Sequence, residues 1–304
     1  MILVLATLIA LIQIIFGHNI LLDNISNSLN QAHIQPKQSK ITFTNASFTP
    51  APELKPGATP PSALASSAII YDVASGRVIY GKDMHNPTAI ASLTKLMTTL
   101  VILQNHSTDE IVTIPDNLPP LTVNDQKINV LPGEKFKLSE LMQALLIYSA
   151  NDVANSLAIW DAGSIDNFTA KMNNYSKQWG LSDSYFVNPS GLDNPNQRSS
   201  AADLLVVANI LLHNNNFRTI VNKPSSTIYN TSGKSYVLTT TNKDLSLDYV
   251  YGIKTGFTDL AGQCLILLAQ KNGHEIITIV LNSPDRFQES KNMVEYTFNN
   301  YIWK

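Results

Sequence analysis

Strand-forming runs stand at both ends of the folded part of this chain, and helical periodicity fills the middle. Near one end SSAIIYDVASGRVIYGKD holds two β-rich runs, AIIYD and RVIYG, joined by a Val-Ala-Ser-Gly turn, which is the pattern of an antiparallel hairpin. Near the other, after about Thr227, come TIYN, SYVLTTT, YVYGIKTG, QCLILLAQ and HEIITIVLN, with turns at Ser232-Gly233 and Asn272-Gly273. Between them a helix is expected to start at Ser92, with Leu93, Leu96, Met97 and Leu100 at helical spacing, and Ser139 is expected to cap SELMQALLIYSA. Helical patterns continue in DVANSLAIW, IDNFTAKMNNYSKQWG and SSAADLLVVANILLH, where Ser199 or Ser200 is a good cap, and RFQESKNMVEYTFNNYIW closes the chain as a helix. Strands so far apart in sequence must meet in one sheet. The expected class is α+β, an antiparallel sheet flanked by helices with an inserted helical lobe.

With 304 residues, 44% of them hydrophobic, the chain has material for a sizeable core. A net charge of −2 leaves no basic surplus to hold a phosphate backbone, so nucleic acid is not an expected partner. The single cysteine, Cys264, has no partner for an intramolecular disulfide, and no clustered histidines accompany it in a zinc pattern. It reads as a small buried apolar residue.

Residues Ile2 to Phe16 are apolar apart from Thr7 and Gln13, so 1–17 reads as an export signal or membrane anchor. No A-x-A-like cleavage site follows it, and the first lysine is Lys37. Residues 18–61 are rich in Asn, Ser, Gln, Thr and Pro, with five prolines among residues 50–61, and read as an extended spacer. A folded domain is expected over 62–304, on the outer side of a membrane.

Three short motifs could carry chemistry. In Ser92-Leu93-Thr94-Lys95 the serine and lysine share a helix face, so the amine can take the proton that a serine must lose to become a nucleophile. The free N–H groups of a helix's first turn lie beside such a serine and can stabilise an oxyanion. Ser149-Ala150-Asn151 offers a second hydroxyl and an amide, although Ser28-Leu29-Asn30 matches the same pattern in the spacer. Lys254-Thr255-Gly256 places a cation and a hydroxyl on a strand edge, a site for a carboxylate, with Gly256 allowing close approach to the backbone. Each motif has an ordinary structural explanation as a cap, a helix end or an exposed strand end. Their order and spacing together do not.

In that order and spacing the motifs resemble those of the serine penicillin-recognising enzymes, S-x-x-K, S-x-N and K-T-G. FVNPSGLDNPNQRSSAADLLVVA, YGIKTGFTDLAG and NSPDRFQESKNMVEYTF further resemble the low-molecular-mass penicillin-binding D-alanyl-D-alanine carboxypeptidases, over about Ser62 to Tyr301. The resemblance implies a β-lactamase/transpeptidase-like fold. It implies Ser92 as the nucleophile, Lys95 as its base and Ser149 as a proton relay to the leaving D-alanine. Asn151 would hold the peptide, Lys254 and Thr255 would meet its terminal carboxylate, Gly256 and Phe257 would line the same substrate site, and Arg286 would support the carboxylate end. The backbone N–H groups of Ser92 and Phe257 would form the oxyanion hole. It implies a peptidoglycan stem peptide as substrate, β-lactams as covalent inhibitors, and neither metal nor organic cofactor. Phe257 stands where some carboxypeptidases carry a polar side chain, and the N-terminal apolar segment would replace the C-terminal anchor of many relatives.

A class A β-lactamase deacylates through a glutamate between the second and third motifs, whereas no Glu lies between Glu140 and Glu275 here, and Ala150 stands where those enzymes carry Asp. A non-catalytic peptidoglycan or β-lactam sensor would not need Lys95 and Ser149 together. An endopeptidase or transpeptidase would use the same residues.

Overall fold

The computed structural model describes residues 49–304. The expected export segment and most of the expected spacer lie outside them. Strand β1 (Glu53–Leu54) is followed by the hairpin β2 (Ser67–Asp72) and β3 (Arg77–Lys82), then by a 3₁₀ turn at Ala91–Leu93 and helix α1 (Thr94–Asn105). A lobe follows: β4 (Ile111–Thr113), β5 (Lys135–Lys137), α2 (Leu138–Gln143), a π-helical turn at Ala144–Tyr148, α3 (Asn151–Ala162), α4 (Ile165–Gln178), α5 (Ala201–Leu212) and α6 (Asn215–Val221). The chain returns through β6 (Ser225–Tyr229), β7 (Ser235–Thr239), β8 (Val250–Thr258), β9 (Gly262–Lys271), β10 (His274–Ser283), α7 (Arg286–Asn300) and β11 (Tyr301–Ile302).

The main sheet has the order β3-β2-β10-β9-β8 and is antiparallel throughout, so the early hairpin joins the late meander as expected. Both faces are covered. Ile69, Ile266, Leu268, Ile277 and Ile279 point to the helical lobe, while Ile70, Leu265, Leu267 and Val280 pack with Met293 and Val294 of α7. Burial on both sides explains the unbroken apolar run CLILLA in β9, since neither face needs polar residues. Cys264 belongs to this core, as expected. Strand β8 is left as an edge, and it carries Lys254-Thr255-Gly256.

Several details differ from expectation. The folded region begins before Ser62: β1 pairs with β11, the Lys55 N–H donates to Asn300 O at 2.8 Å, and the Tyr296 hydroxyl donates to Thr59 O. Prolines kept the stretch extended, and an extended stretch also suits an edge pairing. Strands β6 and β7 form a sheet of their own beside the lobe. Regular α-helix begins at Thr94, not Ser92. Ser139 lies inside α2, and the capping position is Lys137.

Candidate active site

Ser92 sits in the 3₁₀ turn at the mouth of α1, after Ala91, whose φ of +47° lies in the left-handed region. Non-glycine residues reach that region at a cost of about 1–2 kcal/mol, so something must hold the turn. Two glycines press against it. A Cβ on Gly191, itself at φ +85°, would lie 1.9 Å from Ala91 O, and one on Gly256 would lie 2.9 Å from Ile90 O and 3.3 Å from Ser92 N. The Thr94 hydroxyl donates to Ala91 O at 2.8 Å. The turn is therefore clamped between β8 and the Asn188–Gly191 loop.

Lys95, one turn into the helix, is fully buried, and its Nζ has three partners: Ser92 Oγ at 2.9 Å, Asn151 Oδ1 at 2.6 Å and Ser190 O at 2.6 Å. Burial, followed by the nearby cation Lys254, holds its ammonium well below the usual lysine range, against weaker opposing pulls from Asp152 and Asp125. A neutral amine has two hydrogens and one lone pair. In that form the Asn151 and Ser190 oxygens, acceptors only, would take both hydrogens and leave the lone pair to the Ser92 hydroxyl, whereas an ammonium would donate to all three.

Ser149 closes the π-helical turn with φ +70° and ψ +34°, and the chain restarts as α3 at Asn151. The Asn151 N–H donates to Gln126 O at 2.7 Å, and the Asp152 carboxylate accepts from Ile128 N at 3.3 Å and Val130 N at 3.1 Å. These bonds bind the 114–133 loop to the second motif. Lys254 Nζ donates to Ser149 Oγ at 2.9 Å and to Thr255 O at 3.0 Å. Its value is pushed down to about 7, by burial first and then by the Arg286 charge.

The Thr255 and Thr241 hydroxyls lie 2.6 Å apart. Arg286, the first residue of α7, donates from Nη1 to Gly256 O at 2.6 Å, so it braces the back of the strand that carries the third motif. Phe257 is 60% exposed at the outer end of that motif. The structure thus brings together two hydrogen-bonded groups, Lys95 with Ser92 and Asn151 and Lys254 with Ser149 and Thr255, with Gly256 against the Ser92 turn and Arg286 behind it. Among the described residues no group of His, Cys, Asp and Glu is arranged to hold a metal ion.

Sequence reasoning missed Ser190, Asn188, Gln197 and Thr241. The Asn188 side-chain oxygen accepts from Ser190 N at 3.1 Å, Gly191 N at 2.7 Å and Gln197 Nε2 at 3.3 Å, and Gln197 Nε2 also donates to Thr94 Oγ1 at 3.2 Å. That web fixes the carbonyl that meets Lys95. The available signal was the run Asn188-Pro189-Ser190-Gly191, dense in residues that build tight turns.

Against known proteins, residues 55–285 match the family model described as D-alanyl-D-alanine carboxypeptidase. The chain belongs to that family. It is 28% identical over 244 residues to the D-alanyl-D-alanine carboxypeptidase DacF of Bacillus subtilis, covering 78% of this chain and 63% of the relative. To DacC of Escherichia coli it is 30% identical over 253 residues, covering 78% of this chain and 62% of the relative. The chain thus spans less than two thirds of these two relatives. Among solved structures, the Streptomyces K15 DD-transpeptidase superposes with a TM-score of 0.73 at 27% identity, covering 80% of this chain and all of that one. Penicillin-binding protein D2 from Listeria monocytogenes, in an ampicillin-bound form, gives 0.67 at 30% identity, covering 79% of this chain and all of that one. The fold is the α+β transpeptidase-like one expected.

Proposed function

We propose that this protein is a serine-type D-alanyl-D-alanine carboxypeptidase that removes the terminal D-alanine from peptidoglycan stem peptides through an acyl-enzyme at Ser92. The observation that carries the reading is the three-partner environment of Lys95. It leaves the amine with a lone pair aimed at the Ser92 hydroxyl and little tendency to be charged.

In this reading Ser92 Oγ attacks the carbonyl carbon between the two D-alanines while its proton passes to Lys95 Nζ. The backbone N–H groups of Ser92 and Phe257 receive the negative charge on the carbonyl oxygen. The C–N bond then breaks as the proton taken by Lys95 passes by way of Ser149, linked to Lys254, to the leaving amine, which returns Lys95 to its neutral form. Asn151 holds the peptide backbone, and β8, an edge strand, offers unpaired backbone groups for an extended peptide to join. Lys254 and Thr255 take the terminal carboxylate, with Gly256 giving clearance and Arg286 bracing the strand. Water then attacks the ester carbonyl as its proton passes to the neutral Lys95, the ester C–O bond breaks, and Lys95 returns the proton to Ser92 Oγ as the shortened peptide leaves. A penicillin, which mimics the D-Ala-D-Ala end, remains on Ser92 because no glutamate is available between the second and third motifs to speed its hydrolysis.

The likeness to a DD-transpeptidase favours a second reading, in which an amine replaces water as acceptor at the same acyl-enzyme. The apolar run 2–16 supports an enzyme on the outer side of the membrane, anchored or exported through that segment. Among the described residues no helix is long and apolar enough to cross a membrane.

The test combines two measurements. Mass spectrometry after penicillin treatment and proteolysis is expected to find the adduct on the Ser92 peptide, and Ser92→Ala to abolish it. Diacetyl-Lys-D-Ala-D-Ala is expected to release D-alanine, and adding glycylglycine distinguishes hydrolysis from transfer. Binding of penicillin with no D-alanine release and no transfer would favour a sensor.

A further inference from the structure

Thr241 lies outside all three motifs, in the segment that leaves β7, and it touches the third motif and the π-helical turn that leads into the second. Its N–H donates to Ile147 O at 3.3 Å, two residues before Ser149, and its hydroxyl lies 2.6 Å from that of Thr255. Thr255 is buried, its neighbour Lys254 is anchored on Ser149, and Thr241 is half-buried at the join.

A threonine hydroxyl has one hydrogen to give. When a carboxylate sits on Thr255, that hydrogen goes to the carboxylate, which only accepts. The 2.6 Å contact with Thr241 then has one permitted direction, from Thr241 into the lone pair of Thr255. A hydroxyl that accepts one hydrogen bond donates a stronger one. Without Thr241 the Thr255 hydroxyl is free to rotate, and its hydrogen has no fixed aim.

We propose that Thr241 is a positioning residue, which directs the Thr255 hydroxyl at the carboxylate of the substrate or inhibitor and thereby sets the preference for a free carboxylate. This rests on the carboxypeptidase reading above. Thr241→Val keeps the β-branched shape and the N–H to Ile147 while removing the hydroxyl. Thr241→Ser keeps the hydroxyl.

The experiment measures the rate of Ser92 acylation by benzylpenicillin, followed by mass spectrometry over seconds to hours, for the wild type, Thr241→Val, Thr241→Ser, Thr255→Val and the Thr241→Val/Thr255→Val double variant. Thr241→Val is expected to slow acylation roughly tenfold, the loss of the hydrogen bond that aims the Thr255 hydroxyl at the carboxylate. Thr241→Ser is expected to stay within about twofold of the wild type on the same scale. In the Thr255→Val background, Thr241→Val is expected to add no further loss. Multiplying losses in the double variant, or equal losses in the Ser and Val variants, would overturn the proposal by making Thr241 a purely structural residue. An unchanged rate in Thr241→Val would overturn it too. A wild type that forms no adduct on Ser92 would instead overturn the underlying reading.

Discussion

On the sheet side of the site, Lys254, Thr255 and Gly256 occupy consecutive positions of a nine-residue strand whose register runs unbroken from Ile253 opposite Leu267 to Thr258 opposite Gly262. On the helical side, Ser92 follows a left-handed Ala91 in a 3₁₀ turn, and Ser149 is itself left-handed at the end of a π-helical turn. A strand presents its residues at a fixed spacing, so from Lys254 to Thr258 the sheet side needs only a glycine where the neighbouring turn comes close. The helical side aims its two serines through breaks in regular structure, and strain of this kind persists only where the surroundings impose it. The difference teaches where substitutions will hurt: backbone exceptions should be costly at the Ser92 and Ser149 turns and absent from the Lys254–Thr258 run of the strand.

The largest effect is expected from the two glycines that press on the nucleophile turn. At Gly191 an added Cβ would stand 1.9 Å from Ala91 O on a residue whose φ is already +85°, so steric overlap and backbone strain add. Gly191→Ala should cost roughly 3 kcal/mol or more and remove acylation at Ser92. At Gly256 φ is not positive and the nearest atom is 2.9 Å away, so Gly256→Ala meets overlap alone and should cost about 1–2 kcal/mol. Calorimetry of both variants checks the order. If Gly256→Ala were the less stable of the two, the contrast between the walls would fail.

An intermediate effect concerns Lys254, on the regular side. Its value is held at about 7 in the fold, against ~10.4 in an unfolded chain, chiefly by burial. Between these values the unfolded chain binds more protons than the folded one, so this lysine makes stability rise with pH from about 7 to ~10.4. Below about 7 it is charged in both states, and the full burial cost is present. Replacing it with methionine should therefore raise the melting temperature more at pH 6 than at pH 9.5. An equal shift at both values would show that the ammonium is not what the burial penalises.

These differences also explain what was legible in the sequence. The hairpin β2–β3, the strands from β6 to β10, helices α3 to α5 and α7 all follow from periodicity and turn residues, because regular elements repeat their signal over many residues. The K-T-G strand could be read in the same way. Helix α6 was missed: Phe217, Ile220 and Val221 stand at helical spacing, but seven residues leave the pattern no room to repeat. The π-helical turn, the left-handed Ser149 and the Asn188–Gly191 loop left no periodic trace. Their geometry comes from tertiary contacts such as Asn151 N–H to Gln126 O and Ser190 O to Lys95. The roles proposed for Ser92 and Lys95 were legible only through three motifs taken together. The carbonyl that completes the lysine's environment belongs to a backbone group, which no side-chain pattern records.

The smallest effect isolates the left-handed backbone at Ser149. Both Ser149→Ala and Ser149→Gly delete the hydroxyl that Lys254 donates to, so the loss of that partner is common to the two and cancels between them. What remains is the difference between a residue with Cβ and one without, at φ +70° and ψ +34°. In most helix and strand positions glycine is worse than alanine by roughly 0.5–1 kcal/mol. Here the order should reverse, with Ser149→Gly more stable than Ser149→Ala by about 1 kcal/mol, while neither releases D-alanine. The control comes from the sheet side. At Thr255, in regular strand, the glycine variant should be the less stable of the corresponding pair. If both positions ranked glycine and alanine in the same order, the left-handed turn would not be what aims Ser149.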